Sequence, residues 1–225
     1  MADPLARYQA LCIDVLDAAR AAEFWAPVLG LTAQPPKDGN VALHGEHDHD
    51  LVWLNQVPEP RAAKNRVHVD VRTNTLAELE ALGARSLETF PHWTMMADPE
   101  GQEFCAFVRA EPLSGSRVKE LAVDTGDPEP IARWWHGVLG GRLGHDEHEP
   151  WWWIEDVPHT PYDAIVFAQV PEPKTVKNRV HLDVELADPS LLLEAGARLL
   201  RAEDGDISWS IMADPDGNEF CAFSI

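Results

Sequence analysis

The sequence predicts an α+β protein made of two tandem copies of one domain, and three observations carry that prediction. The first is a long internal repeat. Val57-Pro58-Glu59-Pro60 and Lys64-Asn65-Arg66-Val67-His68-Val69-Asp70-Val71 return as Val170-Pro171-Glu172-Pro173 and Lys177-Asn178-Arg179-Val180-His181-Leu182-Asp183-Val184. Met96-Ala97-Asp98-Pro99-Glu100-Gly101, with Glu103-Phe104-Cys105-Ala106-Phe107, returns as Met212-Ala213-Asp214-Pro215-Asp216-Gly217, with Glu219-Phe220-Cys221-Ala222-Phe223. The second is the period. The offset drifts only from 110 at Phe24-Trp25 to 116 at the Asp-Pro block, the size of a small domain rather than of a solenoid unit. The third is the order of hydrophobic periods, which reads strand, helix, three strands, twice in each copy. The copies run 1–112 and 113–225, with Ala110–Ser116, rich in Pro, Ser and Gly, as the linker.

Taken in order, Leu11, Ile13 and Val15 alternate with Ala10, Cys12 and Asp14, the pattern of a half-buried strand. Asp17 stands where a helix N-cap is wanted, and Gly30 closes the helix containing Phe24 and Trp25. Strands are expected near Val41–His44 and Leu51–Val57. The second unit opens with a strand over Arg66–Val71. It continues with a helix over Leu76–Leu82, stopped by Gly83, and strands over Arg85–Glu88, Thr94–Ala97 and Glu103–Val108. Asp98-Pro99-Glu100-Gly101 forms the turn before the last strand. The second copy repeats this plan from Val118 to Ile225.

With 38 acids against 18 bases, the net charge is −20, a field that repels phosphate backbones and anionic lipid. Nucleic acid and membrane surfaces are therefore not expected partners. The N-terminus lacks the apolar core of a signal peptide, and no run approaches bilayer length. Three cysteines, with Cys105 and Cys221 at matched positions, do not make a disulfide framework, so a cytoplasmic setting is expected.

The paired units, the helix ending in Leu-Gly, the second-unit strands that carry His68 and His181, and the Asp-Pro-Glu/Asp-Gly turns resemble the vicinal oxygen chelate superfamily. That group includes glyoxalase I, extradiol dioxygenases and bleomycin-resistance proteins. The Lys-Asn-Arg-Val-His and Glu-Phe-Cys blocks resemble a glyoxalase-like branch of it. The resemblance implies tandem domains, each with two βαβββ units curling a mixed sheet around a cavity. It also implies a small organic ligand and a monomer or homodimer, because two copies in one chain imitate the dimer of shorter relatives.

Metal-binding relatives place ligands on the first and fourth strands of the first unit, at the start of the second unit and on the last strand. Carried over, these positions are Ala10 or Glu120; Asn55 or Gln56, or Gln169; His68 or His181; and Cys105 or Cys221. Alanine cannot coordinate an ion, so the resemblance favours the C-terminal copy. There Glu120, His181 and Cys221 would hold one divalent metal (Zn, Fe, Ni or Mn), with Glu120 and His181 as the catalytic pair. Equally, a strand cysteine is often a small buried hydrophobe and a strand histidine a bonded core residue.

Ligand-contacting candidates are Asp124, Asp183, His68 and Asp70, together with the indoles of Trp151, Trp152, Trp153 and Trp209. Three successive tryptophans on a strand cannot all face the core, so indole faces a cavity or a partner. Trp93 and Trp209 hold matched positions. Lys64, Arg66, Lys177 and Arg179 precede the histidine strands; they either guide an anion towards each cup or form surface ion pairs. The histidines at 44, 47 and 49, and at 145 and 148, are read as loop clusters. The leading expectation is binding of a planar or aromatic molecule, giving sequestration, resistance or a metal-free reaction. The alternatives are a metal-dependent lyase, isomerase or dioxygenase, and a structural or partner-binding module with vestigial cavities.

Overall fold

The computed structural model describes residues 3–225. The first unit holds β1 (Arg7–Val15), α1 (Ala18–Leu29), β2 (Thr32–Ala33), β3 (Val41–His44) and β4 (Val52–Gln56). The second holds β5 (Val67–Thr73), α2 (Leu76–Ala81), β6 (Arg85–Thr89), β7 (Thr94–Ala97) and β8 (Glu103–Val108). The third holds β9 (Val118–Thr125), α3 (Pro128–Leu139), β10 (Arg142–His145), β11 (Trp151–Glu155) and β12 (Ala164–Gln169). The fourth holds β13 (Val180–Leu186), α4 (Ser190–Glu194), β14 (Arg198–Arg201), β15 (Ser210–Ala213) and β16 (Glu219–Ser224).

Local chemistry explains the boundaries. Asp17 accepts the Arg20 amide at 3.0 Å and starts α1, and Gly30 ends it at φ 67. A side chain at Gly30 would also collide with the Gly115 carbonyl, 2.4 Å from an ideal Cβ, so this residue permits both the left-handed cap and the close passage of the linker. Among the described residues no helix is long and apolar enough to cross a membrane.

The fold class is as expected: two eight-stranded mixed sheets, each built from two βαβββ units. The assignment of sheets to copies is corrected. The first sheet runs β14-β15-β16-β13-β1-β4-β3-β2, and the second β10-β11-β12-β9-β5-β8-β7-β6. Each cup therefore joins one unit from the first copy to one from the second, and neither copy closes a cup of its own.

The linker supplies the reason. β8 lies parallel to β5, and the short segment after it turns back and lays β9 antiparallel along the other edge of β5. Arg109 N–H donates to the Thr73 carbonyl and Arg72 N–H to the Arg117 carbonyl, each at 2.8 Å, which pins that reversal. With β5 occupied on both edges, β1 pairs with the equivalent edge on β13, Leu11 opposite Leu182.

Alternation sorts the faces. Leu11, Ile13, Val15, Val67, Val69, Val71, Leu121 and Leu182 join one continuous core that spans both sheets. Within that core, helix contacts run inside a copy. Trp25 meets Phe104 edge-on at 5.4 Å and donates its indole N–H to Asp98 at 3.2 Å. Trp135 does the same with Phe220 at 5.3 Å and Asp214 at 3.0 Å. Strand pairing across copies and helix packing within them interlock the chain into one body.

Candidate functional site

The concave face of the second sheet encloses a cavity of about 800 Å³. Its floor is a row set by strand register: Ala164 on β12 opposes Glu120 on β9, Glu120 opposes Asp70 on β5, and Asp70 opposes Cys105 on β8. A β-bulge between Asp70 and Val71 leaves an extra residue on β9. Both Lys119 and Glu120 consequently reach the cavity, and the two form an ion pair. His68 lies two residues from Asp70 on the same face, and its Nδ1 meets Asp70 Oδ1 at 2.8 Å. Asp124 completes the Glu120–Ala122–Asp124 face and accepts from Lys64 Nζ at 2.7 Å.

Electrostatics follow from burial. Desolvation works against a charged His68, but Asp70 and then Asp124 outweigh it, so the imidazole pKa lies above its ordinary value. Burial first and the Asp70 carboxylate second raise the Glu120 carboxyl, against the pull of Lys119. The same two causes push the Cys105 thiol well up. Asp70 holds the imidazole in one orientation.

The walls are aromatic. Trp151 and Trp153 from β11 face inward with Phe90, Trp93 and Phe107. Trp93 stacks on Phe90 at 5.0 Å and on Phe107 at 6.1 Å, and Lys119 Nζ stands 4.3 Å over the Phe107 ring. Trp153 donates to Glu155 at 2.6 Å. Trp152 points the other way, as strand alternation requires. It stacks on His145 at 4.5 Å beneath the Arg133 guanidinium at 5.0 Å, so it is not a cavity residue.

The remaining expected residues lie on the first sheet or, for Trp209, immediately before its strand β15. His181, Asp183, Cys221 and Trp209 belong with Ala10 and Cys12 of the first copy. The expected set of Glu120, His181 and Cys221 is thereby divided: Glu120 stands in one cup, His181 and Cys221 in the other. Cys12 Sγ donates to Asp183 Oδ2 at 3.2 Å, His181 Nε2 lies 3.8 Å from Asp183 Oδ1, and Trp209 tilts against Phe223 at 5.4 Å. Burial raises the Asp183 carboxyl in spite of His181. The three cysteines are free and buried.

Among the described residues two groups offer donors to a metal ion: His68, Asp70 and Cys105 on the second sheet, and Cys12, His181 and Asp183 on the first, each with ligand atoms within 4.8 Å of one another. The nitrogen, oxygen and sulfur donors of the second-sheet group fit a borderline divalent ion such as zinc or iron. Cys105, which the family pattern places at the last-strand position of the first copy, joins this site with Lys119 and Phe107, which the sequence did not single out as site residues. The matched Ala10 and Glu120 positions were the available signal, since an acid on a concave face needs company.

The glyoxalase-like domain model matches residues 10–107 and again 120–223. No curated protein matches the chain. Among solved structures, a mutant of glyoxalase I from Zea mays superposes with a TM-score of 0.70 at 16% identity, covering 97% of this chain and 92% of that one. Glyoxalase I from Zea mays itself gives 0.65 at 14% identity, covering 97% and 92%. The cppA protein from Streptococcus pneumoniae gives 0.52 at 10% identity, covering 99% and 100%. At such identities the likeness is one of fold. The chain belongs to the glyoxalase-like domain family and carries that domain twice.

Proposed function

We propose that the protein binds a small planar organic molecule in the composite cavity of the second sheet. The observation that carries this reading is a ring of five aromatic side chains (Phe90, Trp93, Phe107, Trp151, Trp153) around a polar floor of His68, Asp70, Glu120 and Asp124. Apolar walls with a few converging polar groups are the usual form of a small-molecule site. Stacking supplies affinity, and the floor orients a polar edge: the Lys119–Glu120 pair offers hydrogen bonds, and the Asp70-oriented imidazole of His68 receives or returns a proton. The outcome is sequestration, or a proton transfer run by these residues.

A second reading rests on the donor group His68, Asp70 and Cys105. These residues, with Glu120 opposite Asp70, would hold a divalent ion, and such an ion polarises oxygens of a bound substrate as a Lewis acid. The protonated Cys105 thiol would give up its proton on metal binding, so uptake should release acid.

Metal analysis of untagged protein, paired with calorimetric titration of planar aromatic probes, tests the two. Probe binding without a stoichiometric metal supports the leading reading. One equivalent of metal, lost in His68→Ala but retained in His181→Ala, supports the enzyme reading. Neither probe binding nor metal uptake would defeat both.

A further inference from the structure

We infer that the first cup holds a thiophilic divalent ion of the zinc class on Cys12, His181 and Asp183, apart from the aromatic cavity that takes the organic ligand. The two cups share a frame, since His181, Asp183 and Cys221 repeat His68, Asp70 and Cys105. They differ on the strand opposite. β9 carries Glu120, Ala122 and Asp124 where β1 carries Ala10, Cys12 and Asp14. Register sets Glu120 against Asp70 and Ala122 against His68, but Ala10 against Asp183 and Cys12 against His181. The donor on this strand has therefore moved two residues along and changed from oxygen to sulfur. Neither Cys12 nor Asp183 stands at a ligand position carried over from metal-binding relatives.

The two cups also bond differently. In the second, His68 and Asp70 meet at 2.8 Å. In the first, His181 Nε2 stops 3.8 Å from Asp183 Oδ1, beyond a hydrogen bond. Cys12 Sγ donates to the other oxygen, Oδ2, at 3.2 Å. Asp183 is only 6% exposed, and its Oδ1 has no hydrogen-bond partner among the described residues. Buried carboxylate oxygens are nearly always satisfied, so one left free and turned towards an imidazole nitrogen marks the place of a cation.

The donor set names the class of ion. One sulfur, one nitrogen and one oxygen lie within 4.8 Å of one another. Ligands bonded at about 2.0–2.3 Å to a tetrahedral ion stand about 3.3–3.8 Å apart, so small side-chain movements bring these three onto one centre. A thiolate with an imidazole suits zinc or cobalt, whereas magnesium and calcium take oxygen ligands.

The test is metal analysis and cobalt spectroscopy of the untagged full chain carrying His68→Ala, which removes a donor from the second cup. Zinc should bind at one equivalent and magnesium and calcium should not, while cobalt should give the near-ultraviolet absorption of a thiolate ligand. Adding Cys12→Ala should abolish both the equivalent and the absorption, and adding His181→Ala should abolish the equivalent. Alanine already stands at the matched position, Ala122, so Cys12→Ala should fold; circular dichroism checks it, and Cys12→Ser replaces it if it does not. Should the His68→Ala background itself not fold, the same comparison in the parent decides. No stoichiometric zinc, an equivalent retained in the Cys12 variant, or cobalt bound without thiolate absorption overturns the inference.

Discussion

Replacing Trp153 by alanine should weaken ligand binding, and replacing Trp152 should not, although the two are chain neighbours of the same type. Trp153 lines the cavity, while Trp152 is held on the opposite face between His145 and Arg133. Stacking on a buried aromatic contributes about 1 kcal/mol beyond area burial, so Trp153→Ala should lose about five- to tenfold in affinity. Trp152→Ala should keep that affinity and lose stability instead, by about 1–3 kcal/mol for a half-buried ring. A third variant moves the ring without deleting it. A Cβ at Gly144 would lie 2.3 Å from Trp153 Nε1, so Gly144→Ala must displace the indole. The assay is calorimetric titration of three planar probes, 2-naphthol, proflavine and 1-naphthoate, with urea unfolding of each variant. If Trp153→Ala and Gly144→Ala bind the tightest probe as the parent does, or if Trp152→Ala is the variant that loses it, the stacking argument is wrong.

Two further outcomes follow from burial. Burial raises the Asp214 carboxyl to about 6 from an ordinary 3.8, against donations from Asn218 and Trp135. A raised folded pKa makes the carboxylate a burden above that value, relieved as pH falls from about 6 towards 4. The relief between pH 7 and pH 5 should be about 1 kcal/mol in favour of the parent over Asp214→Asn, measured by urea unfolding at both pH values. No change in that difference would contradict the assigned burial. Cys12, Cys105 and Cys221 are buried, with thiols pushed up chiefly by burial. A thiol reagent at pH 8 should accordingly find none of them in the native protein and all three in denaturant. Rapid native labelling of any one would refute the placement.

Most of the local structure was legible because its causes are local. The alternation around Leu11, the Asp17 cap with Gly30, and the Asp-Pro turns specify β1, α1 and the last hairpins, and β7 and β8 match their expected bounds. The two-residue β2 is too short to leave a period. What the sequence did not disclose is which strand edges meet. β5 and β13 carry nearly the same residues, so β1 finds equivalent apolar and hydrogen-bonding edges on both. A linker reversal decides between them, not a side-chain pattern. That single ambiguity explains the divided set of Glu120, His181 and Cys221. The face of each residue was read correctly, as with Glu120, Ala122 and Asp124, while its companions across the sheet were not. The tryptophan triplet was legible as a conflict of faces, and the register resolves it by sending Trp151 and Trp153 inward.

The central claim is that each cup is assembled from both copies, so that His68, Asp70 and Cys105 share a site with Glu120, Trp151 and Trp153. Amide and α-proton nuclear Overhauser contacts across the middle strands test it most directly, because antiparallel partners lie within about 5.5 Å. The account predicts contacts between Val69 and Leu121 and between Leu11 and Leu182. Contacts joining β1 to β5 and β9 to β13, with those pairs absent, would show that each copy closes its own cup and would contradict it.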